Sequence, residues 1–260
     1  MSNRPAPGLA DFRPQKYLGD AQPAIASPGG SAENDKDDLR RYFRALREAM
    51  PNDQRQRLDA ARRAIAEDLL AGLGQQLARQ AGGPLRPVAV GQTAPTVAIY
   101  LSRPPEPDSN ELAAGLYRSG WQVIVPSPGR AGKPWAEPAW SWYGEPPQTG
   151  PHGIPVVPDR LPTADLAVSD AETMPSADLA VADVIIMPGL AGTPDGVRLG
   201  AGGGWYDRAL LSARPDAPRW LLLNDNELVE SLPVEPHDQR VDAIITPTGV
   251  RFCVAATTRS

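Results

Sequence analysis

The chain has 260 residues, a formal net charge of −5 and 41% hydrophobic residues, so it can bury a substantial core but is not a general nucleic-acid-binding protein. Its one cysteine and two histidines exclude an intrachain disulfide, a thiolate metal cage and a histidine-rich metal site. The sequence has no apolar run of membrane-spanning length and no N-terminal signal pattern, so we expect a soluble, cytoplasmic protein.

The first 35 residues are rich in proline, glycine, alanine and serine and show no sustained periodicity. Such a segment cannot bury enough apolar surface to offset the entropy that ordering costs, so we predict that residues 1–35 form a disordered tail. We expect residues 36–260 to form the folded domain. Asn34 and Asp35 are suited to cap its first helix.

The first predicted helix carries two cations that lie one turn apart. Leu39 and Phe43 mark its apolar face. Lys36 and Arg40 stack on a neighbouring face, because residues four apart are neighbours on a helix. Stacked cations repel each other weakly unless an anion sits between them, so this is either a solvated basic face or part of an anion site. A second amphipathic helix is predicted over about residues 53–79.

A strand–helix–strand unit follows a connection rich in glycine and proline. Residues 96–101 and 121–126 have the composition of buried strands, and residues 110–119 between them are predicted to form a helix. Strands joined in this way pair in parallel. Ligands of such sheets bind beyond the carboxyl ends of strands, and Glu106 lies in the loop after the first strand. A loop glutamate is usually only solvated, so Glu106 is a weak candidate by itself.

The second half of the chain is predicted to complete the sheet. Residues 127–182 are rich in proline and are expected to form a few short antiparallel strands and a poorly ordered insertion around residues 160–180. Further strands are predicted at residues 184–187 and 220–223. A hairpin is predicted from two apolar segments around Thr248 and Gly249, at residues 243–246 and 252–254.

The segment from residue 198 to residue 208 is the strongest candidate for a functional site. Between a strand and a short predicted helix it contains a run of glycines, namely Gly200, Gly202, Gly203 and Gly204. A strand, a glycine loop and a helix start present backbone N–H groups to a phosphate. Glycines alone indicate only a flexible turn, but Arg198 before them and Asp207 and Arg208 after them favour an anion-binding loop.

Other familiar kinds of site are not supported. No serine lies in a nucleophile-elbow pattern, so covalent acyl transfer is not expected. The glycine spacing is not G-x-G-x-x-G, and the sequence has no GxxxxGK[ST] loop. The chemistry must therefore use carboxylates, cations, backbone amides and a hard metal ion. His237 and Asp238 lie in a late loop and by themselves indicate only a solvated pair.

Several elements in this order resemble the 5-formyltetrahydrofolate cyclo-ligase family over about residues 36–250. Residues 198–208, RLGAGGGWYDR, resemble the family's RLGxGxGYYDR signature. Residues 36–40, KDDLR, match its KxxLR element. Residues 106–109, EPDS, resemble its ExxT element, and residues 236–238, PHD, resemble its late HD. Together these elements are far more specific than any one of them.

The resemblance implies a single-domain α/β fold whose mixed, mostly parallel central sheet is flanked by helices in a Rossmann-like three-layer arrangement. It implies an ATP- and Mg²⁺-dependent ligase that converts 5-formyltetrahydrofolate to 5,10-methenyltetrahydrofolate and releases ADP and phosphate. In the family's proposed mechanism the formyl oxygen attacks the γ-phosphate, and a neighbouring folate amine then closes on the activated carbon. The expected partner is a reduced folate, bound by a monomer that interacts with neither nucleic acid nor membrane.

The resemblance also gives the matching residues their expected roles. The expected catalytic residues are Lys36 and Arg198. The residues expected to bind ATP are Lys36, Arg40, Arg198, Gly200, Gly202, Gly203, Gly204, Trp205 and Tyr206. The residues expected to bind the folate are Glu106, Trp205 and Tyr206. The expected Mg²⁺ ligands are Asp207 and Asp238.

The departures from the family pattern concern the folate side of the site. Residues 191–193 are Ala-Gly-Thr where the family has Ala-Phe-Asp, and residues 153–158, GIPVVP, lack the glutamate of the family's GIxEP element. Trp205 stands where the family has its first tyrosine. Two alternatives therefore stay open: an ATP-dependent enzyme that acts on another N-formyl or amide compound, and a non-catalytic, nucleotide-binding regulatory protein.

Overall fold

The computed structural model describes residues 32–80, 94–130, 133–144, 148–149, 155–156 and 177–254. The helices in these ranges are α1 Ala32–Glu48, α2 Asn52–Gln80, α3 Asn110–Arg118 and α4 Trp205–Ala209. The strands are β1 Thr96–Ile99, β2 Gln122–Arg130, β3 Lys133–Trp142, β4 Gln148–Thr149, β5 Pro155–Val156, β6 Val184–Met187, β7 Ala191–Gly192, β8 Arg198–Leu199, β9 Arg219–Leu222, β10 Ala243–Thr246 and β11 Gly249–Phe252.

The centre of the fold is a 7-stranded sheet in the order β11-β10-β9-β6-β1-β2-β3. The strands from β10 to β2 run parallel to one another, whereas β11 and β3 pair antiparallel at the two edges. Ala98 of β1 lies opposite Ile124 on one side and Ile185 on the other. The predicted strand–helix–strand unit and the antiparallel pairing after it are confirmed. The C-terminal hairpin is present too, but its second strand is Gly249–Phe252 and not residues 252–254.

Helices and turns cover both faces of the sheet, as the predicted three-layer arrangement requires. Because side chains alternate along a strand, Val97 and Ile99 face one core with α2 and α3, while Ala98 faces the other. The first layer is thick, since α2 places Leu69, Leu70 and Leu73 fully inside it. The second layer is thin and contains α4 and 3-10 turns at residues 179–181 and 210–212.

The start of the first helix differs from the prediction. α1 begins at Ala32, so Asn34 and Asp35 lie inside its first turns and are not its cap. Ala32 and Glu33 both favour helix, which lets the helix extend past these two residues. Residues 1–31 of the predicted tail and residues 157–176, which include most of the predicted insertion, lie outside the described residues.

The order of the strands creates a crevice in the middle of the sheet. β1 and β6 are neighbours, but the chain continues from β1 to β2 on one side and from β6 to β9 on the other. Such a switch point leaves a gap beyond the carboxyl ends of the two strands, where ligands of open α/β sheets bind. The Glu106 loop follows β1, and Pro188 and Gly189 follow β6.

Candidate functional site

A cavity of about 470 Å³ opens at this crevice. Its wall contains every residue to which the family resemblance gave a role, namely Lys36, Arg40, Glu106, Arg198, Gly200, Gly202, Gly203, Gly204, Trp205, Tyr206, Asp207 and Asp238. These residues come from α1, from the loop after β1, from the segment β8–α4 and from the loop before β10. Segments that are distant in the sequence therefore meet at one place.

The glycine loop connects β8 to α4 and needs glycine for two different reasons. Gly202 has φ +110 and Gly204 has φ +59, in the left-handed region that L side chains rarely adopt. At Gly200 the reason is space, because a Cβ there would lie 2.8 Å from Nη1 of Arg198. Glycine at these positions therefore shapes the backbone and leaves room for the guanidinium beside it.

Arg198 is buried and held in place before any ligand binds. Its Nη2 donates to both carboxylate oxygens of Asp207, at 2.9 and 3.1 Å, and its Nη1 lies 3.4 Å from the carbonyl of Pro188. Asp207 also accepts a bond from the Gln239 N–H at 3.2 Å. A pair fixed from three sides presents its positive charge in one orientation.

Two buried polar atoms in the cavity-lining residues have no hydrogen-bond partner among the described residues. They are Nε of Arg198 and the hydroxyl of Tyr206. Leaving such a group unsatisfied costs about 1–3 kcal/mol, so native proteins rarely do so without a reason. Burial raises the pKa of Tyr206 well above its usual value, and its hydroxyl is therefore a donor at neutral pH. The structure thus leaves one hydrogen-bond donor in each of these two residues unsatisfied.

Lys36, near the start of α1, reaches the loop before β10. Its Nζ lies 2.6 Å from Glu235 and 2.8 Å from Asp238. Burial lowers the pKa of Lys36, but hydrogen bonds and the charges of Asp238 and Glu235 outweigh it and hold the pKa above its usual value. Burial raises the pKa of Asp238, but hydrogen bonds from Lys36 and from the backbone N–H of Glu235 outweigh it and hold the pKa below its usual value. Both side chains are therefore charged at neutral pH.

The middle of α1 lies across the glycine loop. Nε of Arg40 donates to the carbonyl of Gly200 at 3.0 Å, and Nη2 of Arg44 donates to the carbonyl of Ala201 at 2.8 Å. On its other side α1 packs Leu39 and Phe43 into a small core beneath this segment. The two stacked cations of the sequence thus lie against the cavity and are not a freely solvated face.

Glu106 lies in a tightly bonded loop beyond β1. Its Oε2 accepts a hydrogen bond from the backbone N–H of Arg103 at 2.9 Å. The hydroxyl of Tyr100 donates to the carbonyl of Pro107 at 2.6 Å, and that of Ser109 donates to the carbonyl of Tyr100 at 2.6 Å. Burial and then the charge of Glu106 raise the pKa of Tyr100, so Tyr100 stays neutral. The loop therefore presents one carboxylate on a rigid support.

Aromatic rings form another side of the cavity. The ring centroids of Trp205 and Tyr206 are 4.9 Å apart, and Trp140 of β3 packs on Trp205 with centroids 5.4 Å apart. The guanidinium carbon of Arg198 lies 5.9 Å from the centroid of Tyr206. The tryptophan that replaces the family's first tyrosine is thus part of a packed aromatic group beside the glycine loop.

The carboxylates expected to bind Mg²⁺ each contact a cationic side chain. Asp207 pairs with Arg198, and Asp238 pairs with Lys36. Asp238 also belongs to a group in which ligand atoms of Glu235, His237 and Asp238 lie within 4.8 Å of one another. The structure thereby adds Glu235 to the acids that face this part of the cavity. Its position one residue before Pro236-His237-Asp238 was the available sequence signal.

The departure from the family at residues 191–193 lies behind the cavity wall. Gly192 is in β7, which pairs with β8, and a Cβ there would lie 2.8 Å from Ile244. The hydroxyl of Thr193 bonds to Asp195 and accepts the Val197 N–H at 3.0 Å, which closes the turn between β7 and β8. Of residues 153–158, the described residues include only β5. These contacts give residues 192 and 193 a structural role in the β7–β8 hairpin.

Sequence reasoning missed Arg47, which also lines the cavity. Arg47 forms a buried pair with Glu227, at 2.6 Å and 2.8 Å, and donates to the carbonyl of Gly189 at 2.6 Å. Lys36, Arg40 and Arg47 fall on one side of a helix with about 3.6 residues per turn. That spacing was visible in the sequence, but Glu227, 180 positions away, was not an evident partner.

Residues 32–247 match the model of the 5-formyltetrahydrofolate cyclo-ligase family, which is most of the chain. The chain belongs to the 5-formyltetrahydrofolate cyclo-ligase family. It is 32% identical to a 5-formyltetrahydrofolate cyclo-ligase of Escherichia coli strain K12 over 191 residues, 73% of this chain and 96% of that protein. It is 42% identical to one of Mycolicibacterium smegmatis over 60 residues, 23% of this chain and 31% of that protein. The family is one of ligases, and this member is assigned to that enzyme class.

Solved structures show the same fold. The Aquifex aeolicus 5,10-methenyltetrahydrofolate synthetase has a TM-score of 0.61 and 20% identity, covering 86% of this chain and 96% of that one. The 5,10-methenyltetrahydrofolate synthetase of Mycoplasma pneumoniae has a TM-score of 0.51 and 17% identity, covering 82% and 99%. The predicted fold class is confirmed. No helix in the described part of this family member is long and apolar enough to cross a membrane.

Proposed function

We propose that this protein converts 5-formyltetrahydrofolate to 5,10-methenyltetrahydrofolate, using ATP and Mg²⁺ and releasing ADP and phosphate. The observation that carries the proposal is the convergence of Lys36, Arg40, Arg198 and the glycine loop on the cavity that also contains Glu106. A phosphate-binding wall and a carboxylate suited to a pterin thus face the same space. Membership in the family supports the same reaction.

The reaction needs the formyl oxygen to be turned into a leaving group. In the first step this oxygen attacks the γ-phosphorus, the P–O bond to the β-phosphate breaks, and ADP leaves. In the second step the neighbouring folate amine attacks the formyl carbon and loses its proton. The C–O bond then breaks, and phosphate departs with the former formyl oxygen. No protein nucleophile is required, which agrees with a site built from cations, carboxylates and backbone amides.

Catalysis of phosphoryl transfer consists mostly of positioning and neutralisation of charge. Arg198 is fixed by Asp207, and Lys36 is held charged by Asp238 and Glu235. We assign both to the transferring phosphoryl group, where preorganised donors stabilise developing charge. Arg40, already bonded to the glycine loop, is assigned to the nucleotide phosphates together with the loop amides.

The folate half of the site is assigned to Glu106 and the aromatic wall. A reduced pterin presents ring N–H donors in a plane, which a single fixed carboxylate is suited to accept. Trp205 and Tyr206 offer two aromatic rings packed edge to face, and both line the cavity where the glycine loop ends. This combination would orient the formyl group toward the phosphates.

The carboxylates of Asp207 and Asp238 suit Mg²⁺, which prefers hard oxygen ligands and binds through one or two carboxylates together with phosphate oxygens. Both line the cavity. Oδ2 of Asp207 and Oδ1 of Asp238 keep lone pairs that the bonds to Arg198, Lys36 and the backbone do not use. When bound, the ion would supply additional neutralisation of the phosphate charge. Glu235 is the neighbouring acid that would support it.

The proposal is tested by incubating the protein with ATP, Mg²⁺ and 5-formyltetrahydrofolate and following the near-ultraviolet absorbance of the methenyl product. We expect the methenyl product and ADP to appear in equal amounts. ATP binding without product, even with an excess of the folate, would favour the regulatory alternative. ADP formation that depends on another N-formyl compound would favour the other enzyme.

A further inference from the structure

Arg47, at the end of α1, makes an unusually enclosed ion pair beside the cavity. The exposed fraction is 3% for Arg47 and 1% for Glu227. Two bonds join the side chains, at 2.6 and 2.8 Å, and a third runs from Nη2 of Arg47 to the carbonyl of Gly189 at 2.6 Å. Burial lowers the pKa of Arg47, but the hydrogen bond and the charge of Glu227 outweigh it, and the charge of Glu106 adds to the rise.

Stability alone does not account for such a pair. Removing two charges from water costs several kcal/mol per ion, and apolar residues of similar size often stabilise a core as well or better. The pair instead fixes the relative orientation of the two side chains, because a bidentate guanidinium and its carboxylate lie in one plane. Gly189 lies where β6 meets the cavity, and its Cα is packed beside the Arg198 side chain, since a Cβ there would be 3.2 Å from Cγ of Arg198.

The network continues from Glu227 into the layer formed by α2. Glu227 accepts the backbone N–H of Asn224 at 2.8 Å and its side-chain amide at 2.9 Å. Asn224 in turn accepts a bond from Nη2 of Arg62 at 2.6 Å. Arg62 has an exposed fraction of 1% and also donates to the carbonyl of Leu223 at 2.9 Å, just beyond β9.

From Arg62 the network reaches the loop of Glu106. Nη1 of Arg62 donates to Asp59 at 2.6 Å, and the same carboxylate oxygen accepts the backbone N–H of Asp108 at 3.1 Å. Asp108 accepts the hydroxyl of Ser102 at 3.1 Å within that loop. A continuous chain of hydrogen bonds therefore joins α1, which carries Lys36 and Arg40, to the loop that carries Glu106.

We propose, on the basis of the proposed function, that Arg47 and Glu227 are positioning residues that hold the nucleotide half and the folate half of the site in register. The formyl oxygen and the γ-phosphorus come from different ligands on different segments. Their separation depends on how α1, the end of β6 and the Glu106 loop are placed relative to one another. Arg47 and Glu227 act on this placement and not on the reacting atoms.

The test compares Arg47→Lys and Glu227→Gln with the unchanged protein. Both substitutions keep the side chain at about the same length. Arg47→Lys removes the two-nitrogen guanidinium but keeps the positive charge, and Glu227→Gln removes the negative charge of the carboxylate. A misplacement of about 1 Å can cost on the order of 100-fold in rate, so we expect kcat to fall about 10- to 100-fold. We expect the Kd of ATP alone and of 5-formyltetrahydrofolate alone, measured by calorimetry, to change by less than about threefold, since each half-site stays intact.

The double variant and a control make the result specific. Residues that act as a unit are non-additive, so Arg47→Lys combined with Glu227→Gln is expected to cost no more than either change alone. Arg57→Lys in the exposed pair with Asp53, 2.8 Å apart on α2, is expected to leave kcat unchanged. Arg62→Lys, in the middle of the network, replaces any variant that does not fold. It is likewise expected to lower kcat while leaving the Kd of each ligand nearly unchanged.

The outcomes separate this inference from the proposed function. Folded variants that keep the kcat of the unchanged protein and lose only thermal stability would overturn the positioning role. A fall in kcat confined to Arg47→Lys would also overturn it, because Glu227 does not line the cavity and a direct contact of Arg47 with substrate would then be the cause. Absence of turnover in the unchanged protein would instead overturn the proposed function itself.

Discussion

At the scale of single residues, the site is arranged before a ligand arrives. Three cations of the wall are each held by an oxygen of the protein: Arg198 by Asp207, Lys36 by Asp238 and Glu235, and Arg40 by the carbonyl of Gly200. Charges fixed in this way need little reorganisation when negative charge develops on a transferring phosphoryl group.

The first prediction concerns Arg198→Lys. Lysine keeps the positive charge but has a single nitrogen, so it cannot bond Asp207 and the carbonyl of Pro188 through separate nitrogens as Arg198 does. A hydrogen bond to a charged group is worth about 1.5–3 kcal/mol, so the Kd of ATP with Mg²⁺ is expected to rise about 10- to 100-fold. Calorimetric titration measures it. Arg240→Lys, in the more exposed pair with Asp195, is the control, and an equal effect in both variants would contradict the role of Arg198.

The second prediction concerns pH and Asp238. Its pKa in the folded protein is held below the ordinary value of 3.8, so its contribution to stability is fully present above that value and is lost as the pH falls through the lowered pKa. We expect Asp238→Asn to be less stable than the unchanged protein at neutral pH and the difference to shrink below about pH 4. Thermal unfolding between neutral and acidic pH measures this. A difference that grows on acidification would contradict the ion pair with Lys36.

The sequence patterns pointed to residues that the structure brings to one cavity, but the hydrogen-bond partners of these residues could not be predicted from the sequence. The signature around the glycines, the Lys36–Arg40 spacing and the late His237-Asp238 pair are local patterns, which can be recognised in the sequence without knowledge of the fold. The pair between Arg47 and Glu227 joins residues on different elements, and only the fold brings them together. Asp207 was expected as a Mg²⁺ ligand, and its bond to Arg198 likewise becomes visible only in the fold.

At the scale of elements, the glycine loop is the part whose shape is most constrained. It leaves β8, passes through two residues with positive φ and enters α4 at once, so its amides lie where the cavity begins. α1 crosses it and bonds to two of its carbonyls through Arg40 and Arg44. A helix and a loop that are far apart in the sequence therefore form one wall.

The third prediction separates backbone shape from side-chain space in this loop. Alanine at Gly202, where φ is +110, is strained whatever the space around it, whereas a Cβ at Gly203 would meet nothing within 4 Å. We expect Gly202→Ala to cost about 1–2 kcal/mol and to lower the melting temperature by several degrees, and Gly203→Ala to change it little. Thermal unfolding without ligand measures both. Equal destabilisation by the two substitutions would contradict the loop geometry.

The elements themselves were largely predictable, and the exceptions have physical reasons. Strands buried on both faces appear as continuous apolar runs, which is why β1, β6, β9 and β10 were found near their observed positions. The start of α1 was predicted wrongly, because the sequence does not distinguish a capping residue type that lies inside a helix from one that lies at its end. The short β7–β8 hairpin was also missed, since two-residue strands have no periodicity.

At the scale of the whole molecule, the sheet order explains why the site lies where it does. The switch point between β1 and β6 opens a crevice, and the loops beyond both strands bring Glu106 and Gly189 to it. Residues 192 and 193, which depart from the family pattern, fall in the β7–β8 hairpin and are not among the residues that line the cavity. The sequence alone could not show whether residues 192 and 193 line the cavity or only pack within the hairpin, because this depends on how the hairpin is oriented in the fold.

The central claim is that the formyl oxygen of the folate takes up the γ-phosphoryl group in this cavity. It is tested most directly with 5-formyltetrahydrofolate that carries ¹⁸O in the formyl group, in ordinary water with ATP and Mg²⁺. The account predicts that each methenyl product formed is accompanied by a phosphate that contains the ¹⁸O, detected by mass spectrometry. Methenyl product accompanied by unlabelled phosphate would contradict it, because the oxygen would then have left the folate without being phosphorylated.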